Sequence, residues 1–389
     1  MADKKFKFET RAIHIGNEAD LETGSVSSPI YLTSTYLQDG VGKDRGFDYS
    51  RGTNPTRKRL EGNITSLENG TDAIAFSSGM AATTALFQTL NKGDNIIISR
   101  NVYGGTYRMV TRVLSRQGLY FDFVDTRDLS QIQKRIRPET KLVFIETPTN
   151  PLLELTDIHA VADLCKGANI MLTVDNTFMS PYGQRPLDLG ADCVMHSSTK
   201  YIGGHSDVLG GVLVTRNDEL ASQLHFIQKS GGAVPSPFDC WLLLRSTKTL
   251  ALRVKKASKN ALALAQMLDA HPAVVKTIYP GLESHPQHQL AKRQQKTPSG
   301  KSIYGSIISI TLESKKKCDN FLSKSTVFTL AESLGGVESL VCVPYEMTHA
   351  DVPTETKKSM GLIPELIRLS VGVEHIDDLM VDIERALET

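Results

Sequence analysis

From about Leu60 the chain alternates between short apolar runs and helical stretches, and this alternation constrains its fold more than any other feature. The apolar runs are DAIAF, DNIIIS, KLVFIE, NIMLTVD, DCVMHS and GGVLVT. Between them lie stretches such as MAATTALFQTL and DIHAVADLCK, whose apolar spacing is typical of helices. Because strands that alternate with helices form sheets covered by those helices, the pattern predicts an α/β fold with a mostly parallel central sheet.

Two other segments flank the alternating region. Residues 1–58 contain many turn-forming residues and little helix periodicity, which predicts an N-terminal arm that must pack against another surface. Residues 230–239 are rich in glycine and proline and precede a helix-like stretch over about 240–268. We therefore predict an arm over 1–58, a large domain over 59–245 and a smaller C-terminal α+β domain over 246–389.

The C-terminal domain mixes both kinds of element. VKTIY, SIISITL, VFTLAE and IRLSVGV predict strands, and HIDDLMVDIERALE predicts an amphipathic helix. Residues 281–302, which are rich in polar side chains, are typical of a solvated loop. The helix-like stretch over about 240–268 is expected to link the two domains.

The charge balance narrows the class of partner. With 44 basic and 43 acidic side chains, the formal net charge of +1 is too small to attract nucleic acid or an anionic membrane by electrostatics alone. A small-molecule partner is therefore favoured. The N-terminus is charged where a secretory signal has an apolar core, and no apolar run approaches the ~20 residues of a membrane span. We accordingly expect a cytoplasmic protein.

The cysteines indicate neither a disulfide framework nor a metal site. They are odd in number, far apart and never in a C-x-x-C pair. They are Cys165, Cys193, Cys240, Cys318 and Cys342. We interpret them as buried thiols in a reducing compartment, and we predict no bound metal.

Chemically informative residues follow four of the predicted strands. In open α/β sheets, ligands bind beyond the carboxyl ends of the strands, so the residues after each apolar run are candidates for a site. Here they are the segments 77–80 (SSGM), 147–151 (TPTNP), 175–177 (DNT) and 197–200 (SSTK). We expect these four segments to meet in one crevice.

Each of these signals alone also permits a plainer interpretation. Segment 77–80 could bind a phosphate through unpaired N–H groups at a helix start, or it could be an ordinary capped helix. Lys200 could lose its proton and attack a carbonyl to form an imine, or it could be a surface lysine. Asp175 could pair with a pyridinium nitrogen, or it could cap a turn. Together, the segments indicate a cofactor bound as an imine on Lys200.

A series of motifs runs along almost the whole chain. In order, they are YSRGTNPTR, SSGMAA, VYGGTY, ETPTNP, VDNTF, SSTKYIGGHSD, SLGG and RLSVGVE. In this order they resemble the Cys/Met-metabolism branch of the fold-type I pyridoxal-phosphate enzymes. The resemblance implies the fold of that class, with an N-terminal arm and a smaller C-terminal α+β domain, and pyridoxal 5'-phosphate as cofactor. It also implies an amino-acid substrate and a homotetramer, a dimer of dimers whose active sites are shared between subunits.

The resemblance assigns roles around the cofactor. Lys200 would bind it covalently and then move protons between substrate carbons. Tyr103 would stack on its ring and act as acid or base near the departing sulfur, and Asp175 would pair with the pyridine nitrogen. The remaining cofactor-binding residues would be Gly79, Met80, Thr177, Ser197 and Thr199 of the same subunit, with Tyr49 and Arg51 from the arm of a neighbouring subunit.

The resemblance also assigns roles on the substrate side. Arg368 would clamp the α-carboxylate in a bidentate pair, for which guanidinium is better suited than ammonium. Asn150 and Ser333 would orient the substrate. Glu332 would meet the distal ammonium of cystathionine, although a solvated carboxylate is an equally good interpretation without the family. Arg108 could meet the distal carboxylate, although an arginine on a helix face is the plainer interpretation.

Two positions favour one branch of the family. Methionine γ-lyases generally carry a cysteine where Gly105 stands and an apolar residue where Glu332 stands. We therefore expect γ-elimination of cystathionine to cysteine, 2-oxobutyrate and ammonia, a step of transsulfuration, with hydrogen sulfide as a further product to test. The alternatives within the family are a cystathionine γ-synthase, a cystathionine β-lyase and a methionine γ-lyase.

Other classes of protein are less well supported. Segment 197–200 also satisfies the S-x-x-K pattern of penicillin-recognising serine enzymes, but the chain has no S-D-N and no K-T-G. No G-x-G-x-x-G follows a strand, so a dinucleotide enzyme is not indicated. A non-catalytic relative that only binds the cofactor stays open, although every reacting group is retained.

Overall fold

The computed structural model describes residues 6–350 and 352–388. Outside the described residues lie Asp351, Thr389 and the first five residues of the predicted arm, which belong to its charged N-terminus. The helices are α1 (Phe8–His14), α2 (Pro55–Glu68), α3 (Gly79–Phe87), α4 (Gly104–Arg112), α5 (Leu129–Arg135), α6 (Ile158–Ala168), α7 (Ser180–Gly183), α8 (Asp218–Gly231), α9 (Pro237–Thr247), α10 (Leu250–Ala270), α11 (His288–Gln294), α12 (Lys315–Lys324), α13 (Thr354–Met360) and α14 (Ile376–Leu387). The strands are β1 (Asp72–Phe76), β2 (Asn95–Ser99), β3 (Tyr120–Val124), β4 (Thr140–Glu146), β5 (Met171–Asp175), β6 (Cys193–His196), β7 (Gly211–Thr215), β8 (Val274–Ile278), β9 (Ile307–Leu312), β10 (Thr329–Leu330), β11 (Leu340–Cys342) and β12 (Leu366–Ser370).

The large sheet has seven strands in the order β1-β7-β6-β5-β4-β2-β3. Its inner strands β6, β5, β4 and β2 are parallel, and β7 runs antiparallel to both of its neighbours. The six apolar runs coincide with β1, β2, β4, β5, β6 and β7, which confirms the α/β class and the mostly parallel sheet. Strand β3 was not predicted, because its edge position leaves YFDFV mostly half-buried and without a continuous apolar run.

A second sheet of five strands forms the core of the C-terminal region, in the order β10-β11-β12-β9-β8. The predicted strands are all present, but β10 has two residues, and the three-residue β11 was not predicted because so short a run has no readable period. The helix-like stretch over 240–268 is two helices, α9 and α10, with a break at Lys248 and Thr249. The predicted boundaries at 58 and 245 stay predictions.

The prediction of a solvated loop over 281–302 was wrong. This segment contains α11, in which Ala291 is buried. The side chains of Gln287 and Gln294 bond to the backbone of the large-domain segment 155–158: Gln287 accepts from the N–H of Leu155, and Gln294 accepts from the N–H of Ile158. A polar side chain can therefore be buried here because it completes the backbone hydrogen bonds of another segment.

The N-terminal arm is only partly extended. Helix α1 packs on α2, and its Phe8 and Ala12 belong to a core cluster that also includes residues of α2, β1 and α10. The following segment is tethered at Ser28, whose carbonyl accepts from the indole N–H of Trp241. Beyond the helix the arm exposes large apolar side chains: Leu21, Val26, Leu32, Leu37 and Val41. Across the described ranges, no helix has the length and apolarity that a membrane span requires.

Candidate active site

A cavity of about 230 Å³ lies at the carboxyl ends of β4, β5 and β6, where the sheet meets the C-terminal region. The four segments predicted to converge all contribute to it. The predicted site residues that line it are Gly79, Met80, Tyr103, Asn150, Asp175, Thr177, Ser197, Thr199, Lys200, Glu332, Ser333 and Arg368. Residues that are far apart in the sequence therefore lie close together around this cavity.

Lys200 is a half-buried amine in this cavity. Its Nζ donates to the hydroxyl of Ser333 at 2.7 Å. Burial lowers the pKa of Lys200 to about 8, with a further lowering from the positive charge of Arg368 and a partial opposition from Glu332. A lysine whose pKa is close to neutral carries a sizeable fraction of free amine, which is the form that attacks a carbonyl.

The start of α3 forms an anion cradle at one end of the cavity. The first N–H groups of a helix have no partner inside the helix, and the hydroxyl of Ser78 accepts only from the N–H of Ala81. The N–H groups of Gly79 and Met80 are thus left for an anion. A Cβ at Gly79 would lie 2.9 Å from Cβ of Ser197, so only glycine allows this close approach between α3 and the segment after β6.

The hydroxyls of Thr177 and Thr199 hold the same region in place. The hydroxyl of Thr177 accepts from the N–H of Ser197 at 2.9 Å. The hydroxyl of Thr199 accepts from the N–H of Gly210 at 3.0 Å. Both residues thereby fix the backbone that presents Ser197 and Lys200 to the cavity.

Asp175 and Glu146 are two buried carboxyls at the ends of the neighbouring strands β5 and β4. Burial and the nearby Asp175 raise the pKa of Glu146 well above its usual range, although Glu146 accepts from the N–H groups of Tyr103 and Asn150. Burial also raises the pKa of Asp175, while hydrogen bonding from Thr177 acts in the opposite direction. The two acids are thus driven towards different protonation states, with Asp175 the better candidate for the ionised one.

Arg368 is a guanidinium held at the border between the sheet and the C-terminal region, and its side chain is 2% exposed. It donates to Oδ1 of Asn150 at 3.0 Å and to the carbonyl of Ser333 at 2.6 Å. Its buried Nε has no hydrogen-bond partner within the described residues. Asn150 and Ser333 therefore orient a cation that retains donor capacity for a carboxylate.

Tyr103 stands at the mouth of the cavity with 41% of its surface exposed. Its backbone is fixed by Glu146, which accepts from its N–H at 2.8 Å. A Cβ at Gly105 would lie 2.5 Å from Cε1 of Tyr103 and 2.9 Å from the sulfur of Met80. The ring can therefore occupy this position only because residue 105 has no side chain.

Three of the predicted residues do not line the cavity. Arg108 lines a separate small cleft between α4 and the segment that contains His349. Tyr49 and Arg51 lie in the arm, where Arg51 donates to the carbonyl of Lys229 and its guanidinium is 5.5 Å from the centre of the Tyr49 ring. The predicted roles of these three residues, and those of the cavity residues, stay predictions.

Glu146 and Thr348 are two of the cavity residues that were not assigned a role from the sequence. Glu146 is the last residue of KLVFIE, and it was counted as part of the strand, although the argument from strand ends applies to it equally. Thr348 also lines the cavity, from a segment without regular structure between β11 and α13. No pattern in the sequence points to Thr348, because its position depends on how the C-terminal region folds back over α4.

Comparisons with known proteins find relatives along almost the whole chain. The chain is 50% identical over 382 residues to the cystathionine gamma-lyase of Bacillus subtilis, covering 98% of this chain and 99% of the relative. It is 48% identical to the cystathionine beta-lyase of Lactococcus lactis subsp. cremoris, with 98% of each chain covered. It superposes on the solved cystathionine gamma synthase of Xanthomonas oryzae pv. oryzae in complex with cystathionine, with a TM-score of 0.95, 40% identity and 98% of each chain covered.

The fold and the site together define a pyridoxal-phosphate-dependent enzyme. More specifically, the chain belongs to the family of Cys/Met metabolism PLP-dependent enzymes, whose sequence model matches residues 9–388. The resemblance inferred from the motifs is thereby confirmed, as are the fold class and the cofactor.

The residues present fit this cofactor. The cradle at Gly79 and Met80 suits its phosphate, the free amine of Lys200 suits its carbonyl carbon, and Asp175 suits its ring nitrogen. A Cβ at residue 79 would collide with Ser197 beside the cradle, so the glycine keeps this end of the cavity in shape. The unpartnered Nε of Arg368 leaves a donor for a substrate carboxylate.

Proposed function

We propose that this enzyme cleaves cystathionine by γ-elimination, which with one water gives cysteine, 2-oxobutyrate and ammonia. The observation that carries the proposal is the arrangement of Lys200, Arg368 and Glu332 around one cavity. It offers a base, a cation for a carboxylate and an anion for a distal ammonium. The α-carboxylate and the distal ammonium of cystathionine match this cation and this anion.

Arg368 would bind the α-carboxylate of the substrate. Asn150 and Ser333 hold two of its nitrogens, so the side chain is already oriented before the substrate binds. A preoriented guanidinium loses little side-chain entropy on binding, and this favours both affinity and positioning. The carboxylate would also lie close to Ser333, whose hydroxyl bonds to Lys200.

Lys200 would take and return the protons. When bound, pyridoxal phosphate withdraws electrons from the substrate carbons and makes their C–H bonds acidic. Loss of sulfur from the γ-carbon requires removal of a proton from the α-carbon and then from the β-carbon. An amine whose pKa is lowered to about 8 can accept each proton at Nζ and release it again near neutral pH.

Tyr103 would supply the proton for the departing sulfur. Tyr103 lines the cavity and 41% of its surface is exposed, so its hydroxyl would be able to meet a sulfur that leaves towards solvent. Glu332 would bind the distal ammonium, since it lines the cavity and its side chain is exposed enough to meet an incoming ion. The absence of a side chain at Gly105 supports this choice over methionine γ-lyase, which generally has a cysteine there.

The relatives leave open which carbon–sulfur bond is cleaved or formed. A cystathionine β-lyase would break the bond at the β-carbon and release homocysteine, pyruvate and ammonia, and a γ-synthase would join cysteine to an O-acylated homoserine. The cytoplasmic location and the homotetramer also stay predictions.

The deciding experiment is to incubate the purified holoenzyme with cystathionine and identify the products by mass spectrometry. We expect cysteine and 2-oxobutyrate as the main products. Homocysteine with pyruvate would refute the proposal in favour of a β-lyase. Slow turnover of cystathionine combined with fast synthesis of it from cysteine and an O-acylated homoserine would refute it in favour of a γ-synthase.

Glu332→Gln tests the distal contact. We expect the KM for cystathionine to rise about tenfold, the effect of losing roughly 1.4 kcal/mol of binding energy, because a neutral amide cannot pair with the ammonium. Cofactor loading, measured by absorbance, should be unchanged. Glu338→Gln, at an exposed glutamate on the same loop, serves as the matched control. An unchanged KM in Glu332→Gln would remove this residue from the site.

A further inference from the structure

Glu146 is a buried acid at the end of β4 that bonds to two separate segments of the cavity wall. It lines the cavity, and only 5% of the residue is exposed. Oε2 accepts from the N–H of Tyr103 at 2.8 Å, and Oε1 accepts from the N–H of Asn150 at 3.0 Å. One carboxyl group therefore connects the start of α4 to the segment that follows β4.

The contact with Tyr103 fixes the start of α4. Helices usually begin at a short polar residue whose side chain bonds back to the first N–H groups. Here the N-cap is Tyr103, whose side chain makes no capping hydrogen bond within the described residues. Its ring lines the cavity instead. Glu146 thus supplies, from another element, a contact that holds the backbone of this ring in place.

The contact with Asn150 fixes the residue that orients Arg368. The two prolines of the segment 147–151 have no N–H, so this segment has few donors by which it can be held. The N–H of Asn150 is one of them, and the side chain of Asn150 accepts from Arg368 at 3.0 Å. A single residue therefore separates Glu146 from the guanidinium that is predicted to bind the substrate α-carboxylate.

Glu146 itself has a rigid support. Strand β4 lies inside the large sheet, between β5 and β2. The N–H of Glu146 donates to the hydroxyl of Ser99, the last residue of β2, at 3.2 Å. If the two N–H groups needed only to be satisfied, a water or a backbone carbonyl at each of them would be enough. A single acceptor on a rigid strand also fixes the two segments relative to each other.

We propose that Glu146 is a positioning residue that holds the ring of Tyr103 and the guanidinium of Arg368 in a fixed relation to each other. The group that stacks on the cofactor and the group that binds the substrate carboxylate would then be aligned through one acid. The proposal rests on the predicted roles of Tyr103 and Arg368, and it does not depend on which carbon–sulfur bond the enzyme cleaves.

Two substitutions separate the contacts of Glu146 from its charge. Glu146→Gln has nearly the same shape, but its amide has one accepting oxygen and an NH2 group that only donates, so one of the two N–H groups loses its acceptor. Glu146→Asp retains a carboxyl group but is shorter by one methylene, so it cannot reach both N–H groups. Positioning predicts that both variants are impaired, whereas an effect of charge alone predicts that only Glu146→Gln is.

The test is a titration of the holoenzyme with glycine, an amino acid without a leaving group, followed by visible absorbance. Because no sulfur leaves, the dissociation constant reports on the carboxylate contact and not on turnover. We expect it to rise about tenfold in both variants, because a displaced guanidinium loses part of a charge-assisted bidentate pair. The visible circular dichroism of the bound cofactor should also change, since an achiral cofactor owes this signal to the groups packed around it.

A double-mutant cycle tests whether the effect on glycine binding is transmitted through Asn150. Asn150→Ala removes the side chain that orients Arg368 but retains the N–H from which Glu146 accepts. In this background, Glu146→Gln should not weaken glycine binding further. The matched control is Glu139→Gln, at an exposed glutamate directly before β4, and it should leave both signals native.

Three results would overturn the proposal. A native value of either signal in Glu146→Asp, or in Glu146→Gln if only that variant folds, would mean that the acid does not hold both groups. Additive losses in the double variant would mean that Glu146 does not act on the carboxylate site through Asn150. Native glycine binding in Arg368→Gln would remove the guanidinium from that site. None of these measurements involves the loss of sulfur, so failure of this proposal is distinguishable from failure of the proposed reaction.

Discussion

At the scale of single residues, the amine of Lys200 should impose a pH dependence on cofactor binding. Its pKa is lowered to about 8 by burial and by Arg368. The protonated form cannot attack a carbonyl, so the rate at which apoenzyme captures pyridoxal phosphate should rise with pH and level off above the pKa of Lys200. Arg368→Gln removes a neighbouring positive charge, which raises that pKa and should move the midpoint to higher pH.

Stopped-flow absorbance in the absence of substrate measures this rate, so the part that Arg368 plays in substrate binding does not interfere. Arg245→Gln, at an exposed arginine of α9, is the control and should leave the midpoint in place. A midpoint that does not move in Arg368→Gln would show that the two cations are not coupled.

Gly105 supports a second prediction at this scale. In Gly105→Ala, the new Cβ would lie 2.5 Å from Cε1 of Tyr103, so the ring must move. A displacement of about 1 Å at a reacting group can cost about 100-fold in rate. We expect kcat/KM for cystathionine to fall at least about tenfold while cofactor loading is preserved. Gly167→Ala, in α6, meets no atom within 4 Å and should retain native kinetics; equal kinetics in both variants would contradict the packing argument.

At the scale of elements, α11 joins the C-terminal region to the large domain through side chain to backbone bonds. Gln294 accepts from the N–H of Ile158 and donates to the carbonyl of Thr156 and to the side chain of Gln184. Gln294→Leu would leave these buried groups without partners, at a cost of about 1–3 kcal/mol for each group. We expect a lower urea midpoint, followed by circular dichroism.

The control for this variant is Gln289→Leu, on the exposed side of the same helix. It introduces the same leucine without breaking a buried bond, so its midpoint should stay close to native. Equal midpoints in the two variants would mean that the contact between α11 and segment 155–158 adds little to stability.

The same helix shows why sequence patterns predicted some elements and missed others. Strands β4 and β5 are continuous apolar runs. A continuous apolar run is the sequence pattern of a strand that is buried on both faces of a sheet. Helix α11 is seven residues long and has no side-chain cap, and its buried Gln294 looks like a surface residue in the sequence. Lys200 and Asp175 were found because strand ends converge by topology, whereas Thr348 depends on tertiary packing that no local pattern encodes.

At the scale of the whole molecule, the cavity is built from both sheets. The large sheet contributes Asp175 and the segment up to Lys200, and the C-terminal region contributes Ser333 and Arg368. The hydrogen bonds from Lys200 to Ser333 and from Arg368 to Asn150 cross this border. A change in the relative position of the two regions would therefore alter the pKa of Lys200 as well as the binding of a carboxylate.

The arm extends this reasoning beyond one chain. Tyr49 and Arg51 do not line the cavity of their own subunit, and the arm around them exposes apolar side chains. If they complete the phosphate site of a neighbouring subunit, two inactive variants should restore each other. A subunit with Tyr49→Phe and Arg51→Ala retains Lys200, and a subunit with Lys200→Ala retains a native arm. A hybrid dimer of the two contains one site with both features intact.

Mixing the two variants under conditions of subunit exchange should restore about a quarter of native activity, because half of the dimers are hybrids and each hybrid has one intact site of two. Native mass spectrometry would establish that hybrids form. Hybrids without activity would show that the arm serves its own subunit, and a fully active monomer in sedimentation experiments would show that the arm is not needed at all. Recovery would instead place the unit of function at the dimer, since each Lys200 would then act in a site completed by another chain.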